Sequence, residues 1–247
     1  MASILLLGAT SAIVAAAADR CAARGDRLFL VGRDAGKLDE LARRLGPAVV
    51  GREAMDLCRT ELHEPMLGRA WAALGGRVDA VLIGHGVLSD QLATEASWDE
   101  ARASLEVNLL SVVALLVPIA NRLEAARGGT LAVLTSVAGQ RGRPRNYTYG
   151  AAKGALSVYL QGLRSRLYAS GVRVSDLRPG PIVSPMTAGH ERNALFSTPE
   201  AIAPAIVRAL DRGTPVVWLP WYWWPILAIV RRLPEAVFQR FGFLAGR

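Results

Sequence analysis

Tyr149 and Lys153 stand four residues apart in the segment YGAAK, a spacing that puts both on one face of a helix. A free phenol titrates near pH 10, too high to exchange a proton easily at neutrality. An ammonium about 4 Å away is worth on the order of 4 kcal/mol at an effective dielectric near 20. At about 1.4 kcal/mol per pH unit, that would lower the phenol by roughly three units, into the range of a working general acid/base. Lys153 is one of two lysines, with Lys37, in a chain whose other basic residues are arginines. An arginine could not replace it, because its fork is bulky and geometrically fixed. Ser136 precedes Tyr149 by thirteen residues and ends an apolar run, so its hydroxyl can hold a carbonyl oxygen while Tyr149 protonates it. Asn108 lies inside the apolar segment 105–123; an amide there is expected to hold a water that relays protons to Lys153.

The elements that must position these groups are legible as an alternation. Ser3–Leu7, Arg27–Val31, Asp79–Gly84, Thr130–Ser136, Val172–Leu177 and Val216–Leu219 read as buried strands, with a further strand region before Asp56. Continuous apolar runs, rather than polar/apolar alternation, indicate a parallel sheet covered on both faces. Between the strands lie Ala- and Leu-rich stretches of helical length. The prediction is one α/β domain over residues 1–247, a Rossmann-type doubly wound sheet of about seven strands. Segment 105–123 and the helix expected over 147–169 are apolar on more than one face, which points to a homodimer or homotetramer.

The first strand runs into Gly8-Ala9-Thr10-Ser11-Ala12-Ile13 and then a helix. Small residues at such a turn let a phosphate approach backbone N–H groups and the positive end of the helix dipole. The usual dinucleotide fingerprint has three glycines; here Ala12 and Val14 occupy the second and third places. After the second strand stands Arg33, where an acid would bind the ribose 2′-OH of NAD and an arginine suits the 2′-phosphate of NADP. NADP(H) is therefore the expected cofactor, ahead of NAD(H). Asp56-Leu57 follows the third strand region, where a carboxylate could meet an adenine amino group. Pro179, Gly180 and Ser184 follow the sixth strand and would lie over a nicotinamide.

Composition narrows the class. The chain has 247 residues, 51% of them hydrophobic and 20% charged, which excludes a disordered chain. Two cysteines, Cys21 and Cys58, cannot make a disulfide scaffold, and no Cys/His cluster has metal-ligand spacing. No basic segment precedes the first apolar run, so a cytoplasmic protein is expected. The net charge of +8 comes from arginines spread along the chain, without the clustered patch that nucleic acid requires. The C-terminal segment, residues 218–247, differs: four of six tryptophans fall in Trp218–Trp224, followed by Arg231 and Arg232. Prolines 215, 220 and 225 break it into pieces too short to span a bilayer, so it reads either as a surface anchor on a membrane or as a wall of the substrate pocket or a subunit contact. Arg141, Arg143 and Arg145 lie between Ser136 and Tyr149, where cationic donors could meet a phosphate on a lipid-linked substrate.

Together the Gly8 turn, Asn108, Ser136, Tyr149-xxx-Lys153 and Pro179-Gly180-xxx-Ser184 resemble the short-chain dehydrogenase/reductase family over essentially the whole chain. The resemblance implies that Asn108, Ser136, Tyr149 and Lys153 form a catalytic tetrad, that Lys153 also binds the nicotinamide ribose, and that the Ile182 backbone meets the nicotinamide amide. The sheet-edge motif, Asn-Asn-Ala-Gly in many members, reads Ile83-Gly84-His85-Gly86 here, with Gly84 and Gly86 expected at the cofactor. The turn GATSAI, the segment SVAGQRGRPRNYTYGAAK and the ending VVWLPWYWWPILAIVRRLPEAVFQR look like the reductases of decaprenylphosphoryl-2-keto-ribose and their bacterial relatives. The resemblance thus implies a ketone/alcohol oxidoreductase on a lipid-linked or hydrophobic substrate. A reductase of small hydrophobic ketones, or an idle NADP-binding regulator on the same fold, are the alternatives.

Overall fold

The computed structural model describes residues 1–189 and 191–240. β1 (Ser3–Leu7), β2 (Arg27–Gly32) and β3 (Val49–Ala54) are followed by α1 (Ala12–Ala23), α2 (Ala35–Leu45) and α3 (His63–Ala73) respectively. After β4 (Ala80–Ile83) come α4 (Gln91–Ala96), α5 (Trp98–Leu105), a π-helical turn at Glu106–Leu110, and α6 (Ser111–Ala126). β5 (Thr130–Leu134), α7 (Tyr147–Leu167), β6 (Arg173–Pro179), α8 (Pro199–Arg212), β7 (Val216–Leu219), α9 (Trp223–Val230) and α10 (Glu235–Arg240) follow. The sheet has seven strands in the order β3-β2-β1-β4-β5-β6-β7, all parallel. Strand order reverses between β1 and β4, and the crevice beyond the carboxyl ends of these strands is where such sheets hold ligands.

The five central strands, β2, β1, β4, β5 and β6, each feed two cores, because successive side chains point to opposite faces. Leu5 and Leu7 join Val81, Ile83, Leu115, Ile119 and Leu156 beneath α3, α6 and α7. Ile4 and Leu6 join Val14, Leu82, Ile202 and Ile206 beneath α1 and α8. This two-sided burial is why the strands read as unbroken apolar runs. Strand ends differ from the sequence reading by one or two residues. β4 stops at Ile83 and β5 at Leu134, because the chain turns there to place loop residues at the sheet edge.

The helix expected over 105–123 begins already at Trp98 and is interrupted by the π turn around Asn108. The helix expected over 147–169 ends at Leu167, with a tighter turn at Tyr168–Ser170. Leu110, Val117 and Val158 are exposed on these helices, the apolar surface expected from the sequence. The aromatic C-terminal segment folds back as α9 and α10, where Trp223, Leu227, Val230 and Phe238 pack with Val137. Its last residues, 241–247, lie outside the described residues.

Candidate active site

Three glycines bring the catalytic groups together. A Cβ on Gly139 would lie 2.6 Å from the Gly154 nitrogen, one on Gly150 would lie 2.9 Å from the Ala138 carbonyl oxygen, and one on Gly154 would lie 2.8 Å from the Gly139 carbonyl oxygen. Without those methyl groups α7 presses directly on the turn that follows Ser136, and its first turns carry Tyr149 and Lys153 to the serine. Ser136 is buried and its Oγ accepts from the Ala138 N–H at 3.0 Å, which fixes the hydroxyl's direction.

Lys153 is 3% exposed, donates to the Leu134 carbonyl at 3.3 Å, and holds Nζ 5.7 Å from the centroid of the Tyr149 ring. Burial pushes its pKa down to about 8. Burial pushes the Tyr149 phenol up to about 12, with the Ser136 hydroxyl pulling the other way. Lys153 was expected to lower the phenol; burial instead raises it, and the one opposing influence is the Ser136 hydroxyl. Tyr149 is accordingly a protonated donor at neutral pH.

Asn108 is fully buried. Its Nδ2 donates to the carbonyls of Val87 (2.9 Å) and Ser104 (3.0 Å), and its Oδ1 accepts from the Val87 N–H at 3.1 Å. The side chain therefore braces the loop after β4. A Cβ on Gly86 would meet Asn108 Oδ1 at 2.8 Å and Lys153 Nζ at 3.3 Å, so those two atoms lie within about 6 Å of each other, a span one water can bridge. His85, where the family motif has alanine, pairs Nε2 with Ser111 Oγ at 2.9 Å, and burial followed by the nearby Lys153 charge holds it down to about 3. It is a neutral imidazole.

The dinucleotide residues meet at the switch between β1 and β4. Gly8 has φ +78°, and a Cβ there would lie 2.5 Å from the His85 nitrogen, so only glycine makes this turn. Ser11 caps α1 without a side-chain hydrogen bond, whereas Asp34, Asp90, Ser97 and Thr198 cap α2, α4, α5 and α8 through theirs. The start of α1, with Ala12 and Ile13 half-buried beside Thr10 and Ser11, thus leaves N–H groups for a phosphate. Arg33 is exposed and forms no ion pair among the described residues, while the neighbouring Asp34 accepts from the Lys37 N–H at 3.0 Å. Asp56 is exposed and accepts from the Cys58 N–H; Leu57 beside it is buried. Gly180 donates its N–H to the Leu219 carbonyl at the end of β6, next to Pro179. Ile182 is buried and accepts from Thr187 Oγ1, whose oxygen in turn accepts from the Ser184 N–H. These residues fit a dinucleotide: a tight glycine turn, an open helix start, and an exposed cation just beyond β2.

Val14, which replaces the third glycine of the fingerprint, is accommodated by a second departure. A Cβ on Gly84 would lie 2.3 Å from Val14 Cγ2, so the valine occupies the space of a side chain missing from residue 84. The two exceptions are one compensated pair. Gly84→Asn alone is expected to destabilise the fold by about 1–3 kcal/mol through overpacking. Combined with Val14→Gly, it should cost less than the two single changes added together. Thermal unfolding of the four proteins checks this, and strict additivity would refute the pairing.

The C-terminal segment closes one side of the site, which the sequence reading left open. Trp223 is 4% exposed and its ring takes the place of a Cβ on Gly180, with Nε1 only 1.9 Å from that position. Its indole N–H has no acceptor among the described residues. Tyr222 Oη donates to the Leu195 carbonyl, tying α9 to the segment after β6. Arg141 donates to the carbonyls of Val230 and Leu233 at 2.6 Å each, pairs with Glu235 at 2.8 Å and stacks 4.1 Å over the Phe238 ring. Two expectations are thereby corrected. Arg141 fastens the tail instead of facing a ligand, and Trp223 belongs to the core, leaving Trp221 and Trp224 as the exposed tryptophans of the segment. The buried Asp176–Arg178 pair (2.6 Å), which reaches Gln140 and lies under Trp218, was likewise missed. Long-range docking of this kind leaves no local sequence signal. The glycine trio could have been found from GQ…YGAAKG, where Gly139 and Gly154 flank the catalytic pair and Gly150 lies within it.

A family model described as short chain dehydrogenase matches residues 2–194. An uncharacterised oxidoreductase of Streptomyces coelicolor is 37% identical over 241 residues, covering 96% of this chain and 95% of that protein. A short chain dehydrogenase from Burkholderia cenocepacia, solved in complex with NADP, has the same fold, with a TM-score of 0.82 at 20% identity over 97% of this chain and 96% of that one. The 3-ketoacyl-(acyl-carrier-protein) reductase of Brucella melitensis, complexed with NADH, matches with a TM-score of 0.79 at 20% identity, over 88% and 96%. With the fold, the tetrad geometry and the family match in agreement, the chain belongs to the short-chain dehydrogenase/reductase family.

Proposed function

We propose that the protein interconverts a ketone and a secondary alcohol with NADP(H), on a substrate that carries a hydrophobic portion. The carrying observation is the convergence of Ser136, Tyr149 and Lys153 at the sheet edge that also presents the open start of α1. When bound there, a nicotinamide supplies or accepts the hydride. Ser136 holds the substrate oxygen, and Tyr149 Oη gives that oxygen its proton. Lys153, charged at neutral pH with its pKa near 8, steadies the phenolate that remains. The path beside Gly86, between Lys153 and Asn108, is the route by which Tyr149 regains a proton. Trp223 and Val137 back the serine with apolar surface, and Met186, Leu195 and Trp221 supply exposed apolar side chains on the two segments that Tyr222 joins. A polyprenyl-phosphoryl ketosugar is one substrate of this class. The pairing of Val14 with Gly84 removes the main argument for an idle cofactor-binding protein.

The free guanidinium of Arg33 and the occupied carboxylate of Asp34 favour NADP(H) over NAD(H). Arg33→Asp should weaken NADPH by at least tenfold and shift preference toward NADH, since a carboxylate repels a 2′-phosphate and accepts from a free 2′-OH. Fluorescence titration of both cofactors reads the change. An unaltered ratio of the two affinities removes Arg33 from the site.

A further inference from the structure

The turn carrying the chain from Ser136 to Tyr149 also holds a cation that the proposed chemistry leaves unused. Arg143 lies in the wall of a cavity of about 590 Å³, together with Glu95, Pro144, Tyr147, Glu235 and Phe238. A guanidinium has five N–H donors and keeps its charge, so covering it with protein requires acceptors. Other covered arginines of this chain have them. Arg141 is filled by Val230, Leu233 and Glu235, Arg178 by Asp176 and Gln140, Arg164 by the carbonyls of Val174 and Pro215, and Arg27 by those of Ala73 and Leu74.

Arg143 is half-buried and has no such partner among the described residues. Its Nε is wholly covered and makes no hydrogen bond. Burial alone pushes its pKa below the ordinary value, with no acid close enough to offset it. Two acids share the wall, but Glu235 is paired with Arg141 at 2.8 Å and Glu95 is exposed, accepting from Gln91 at 3.5 Å. The cavity therefore sets an uncompensated guanidinium beside Tyr147 and Phe238, at the start of the helix that carries Tyr149. Its volume suits a small organic ligand.

We propose that Arg143 anchors an anion subsite in this cavity, at the start of the helix that carries Tyr149, taking a phosphate or carboxylate of the substrate while Tyr147 and Phe238 pack against its apolar part. As a substrate subsite it rests on the oxidoreductase reading; as an anion site it stands on Arg143 alone. A guanidinium can hold either anion through two parallel hydrogen bonds.

The test is calorimetric titration of phenyl phosphate, phenylacetate and benzyl alcohol into protein saturated with NADP+, so that the cofactor's own phosphate sites are filled. Phenyl phosphate or phenylacetate should bind at least tenfold more tightly than benzyl alcohol, and the tighter of the two identifies the anion. Arg143→Gln should weaken that anion at least tenfold, Arg143→Lys less, and both should leave NADP+ affinity within twofold. The lysine variant keeps the comparison readable if the glutamine variant fails to fold. Equal binding of the anion by wild type and Arg143→Gln overturns the proposal, as does an anion no tighter than benzyl alcohol. Because no turnover is measured, either result leaves the oxidoreductase reading standing, whereas absence of NADP+ binding strikes that reading and not this one.

Discussion

Tyr149→Phe is expected to lower kcat by at least the 10²–10⁴-fold typical of a lost general acid, with NADPH affinity changed by no more than a few-fold. The substitution deletes only the hydroxyl, the one group beside Ser136 that carries a transferable proton. The ring that lies 5.7 Å from Lys153 Nζ stays, so the packing of α7 on the turn after Ser136 should survive. The phenol stands near 12 in the protein alone, so the donor form is fully populated across the physiological range and the loss should be the same at pH 6 and pH 8. Steady-state kinetics with a cofactor titration on the same preparation decide it. A variant keeping more than about a tenth of kcat removes Tyr149 from the proton-transfer step.

Lys153→Met is expected to remove activity to a similar extent while leaving the fold as stable or more stable at neutral pH. A buried ammonium whose pKa has moved from 10.5 to about 8 stands against folding by about 3 kcal/mol at neutrality. Methionine fills similar volume without a charge to desolvate. In the wild type, the unfolded chain holds the Lys153 proton between pH 8 and 10.5 while the folded protein has released it, so stability rises with pH through that window. Tyr149 acts oppositely, since its folded pKa of about 12 lies above the ordinary 10 and its contribution is lost as pH climbs from 10 to 12. The variant should lose the alkaline gain near pH 8–10. Chemical denaturation at pH 7 and pH 9.5 measures it, and a variant several kcal/mol less stable at pH 7 would mean that Lys153 is a structural cation.

Much of this was readable from residues because it depends on local order. Apolar runs of strand length gave the parallel sheet, and the YGAAK spacing gave the Tyr149–Lys153 pair, since neighbours on a helix face are fixed by backbone geometry alone. What was not readable depends on contacts across long stretches of chain. Val14 looked like damage to a glycine fingerprint until Gly84, seventy residues later, proved to be the space it fills. Arg141 looked like a ligand donor because nothing nearby in sequence balances it; its acceptors come from Val230, Leu233 and Glu235. Trp223 looked free for a surface role until Gly180 received it. The direction of the Tyr149 shift failed for a different reason: a Coulomb estimate at fixed separation omits desolvation, which here is the larger effect.

Proton transfer from Tyr149 to a carbonyl held by Ser136, with hydride supplied by NADPH, is decided by using NADPH deuterated at the transferring carbon. Purified protein is incubated with a panel of hydrophobic ketones, and the products are analysed by mass spectrometry. The wild type should place one deuterium on the carbinol carbon for each NADPH consumed, and Tyr149→Phe should give no labelled alcohol above a hundredth of that rate. Labelled alcohol formed equally well by Tyr149→Phe, or NADPH bound by the wild type with no ketone in the panel ever reduced, would contradict it.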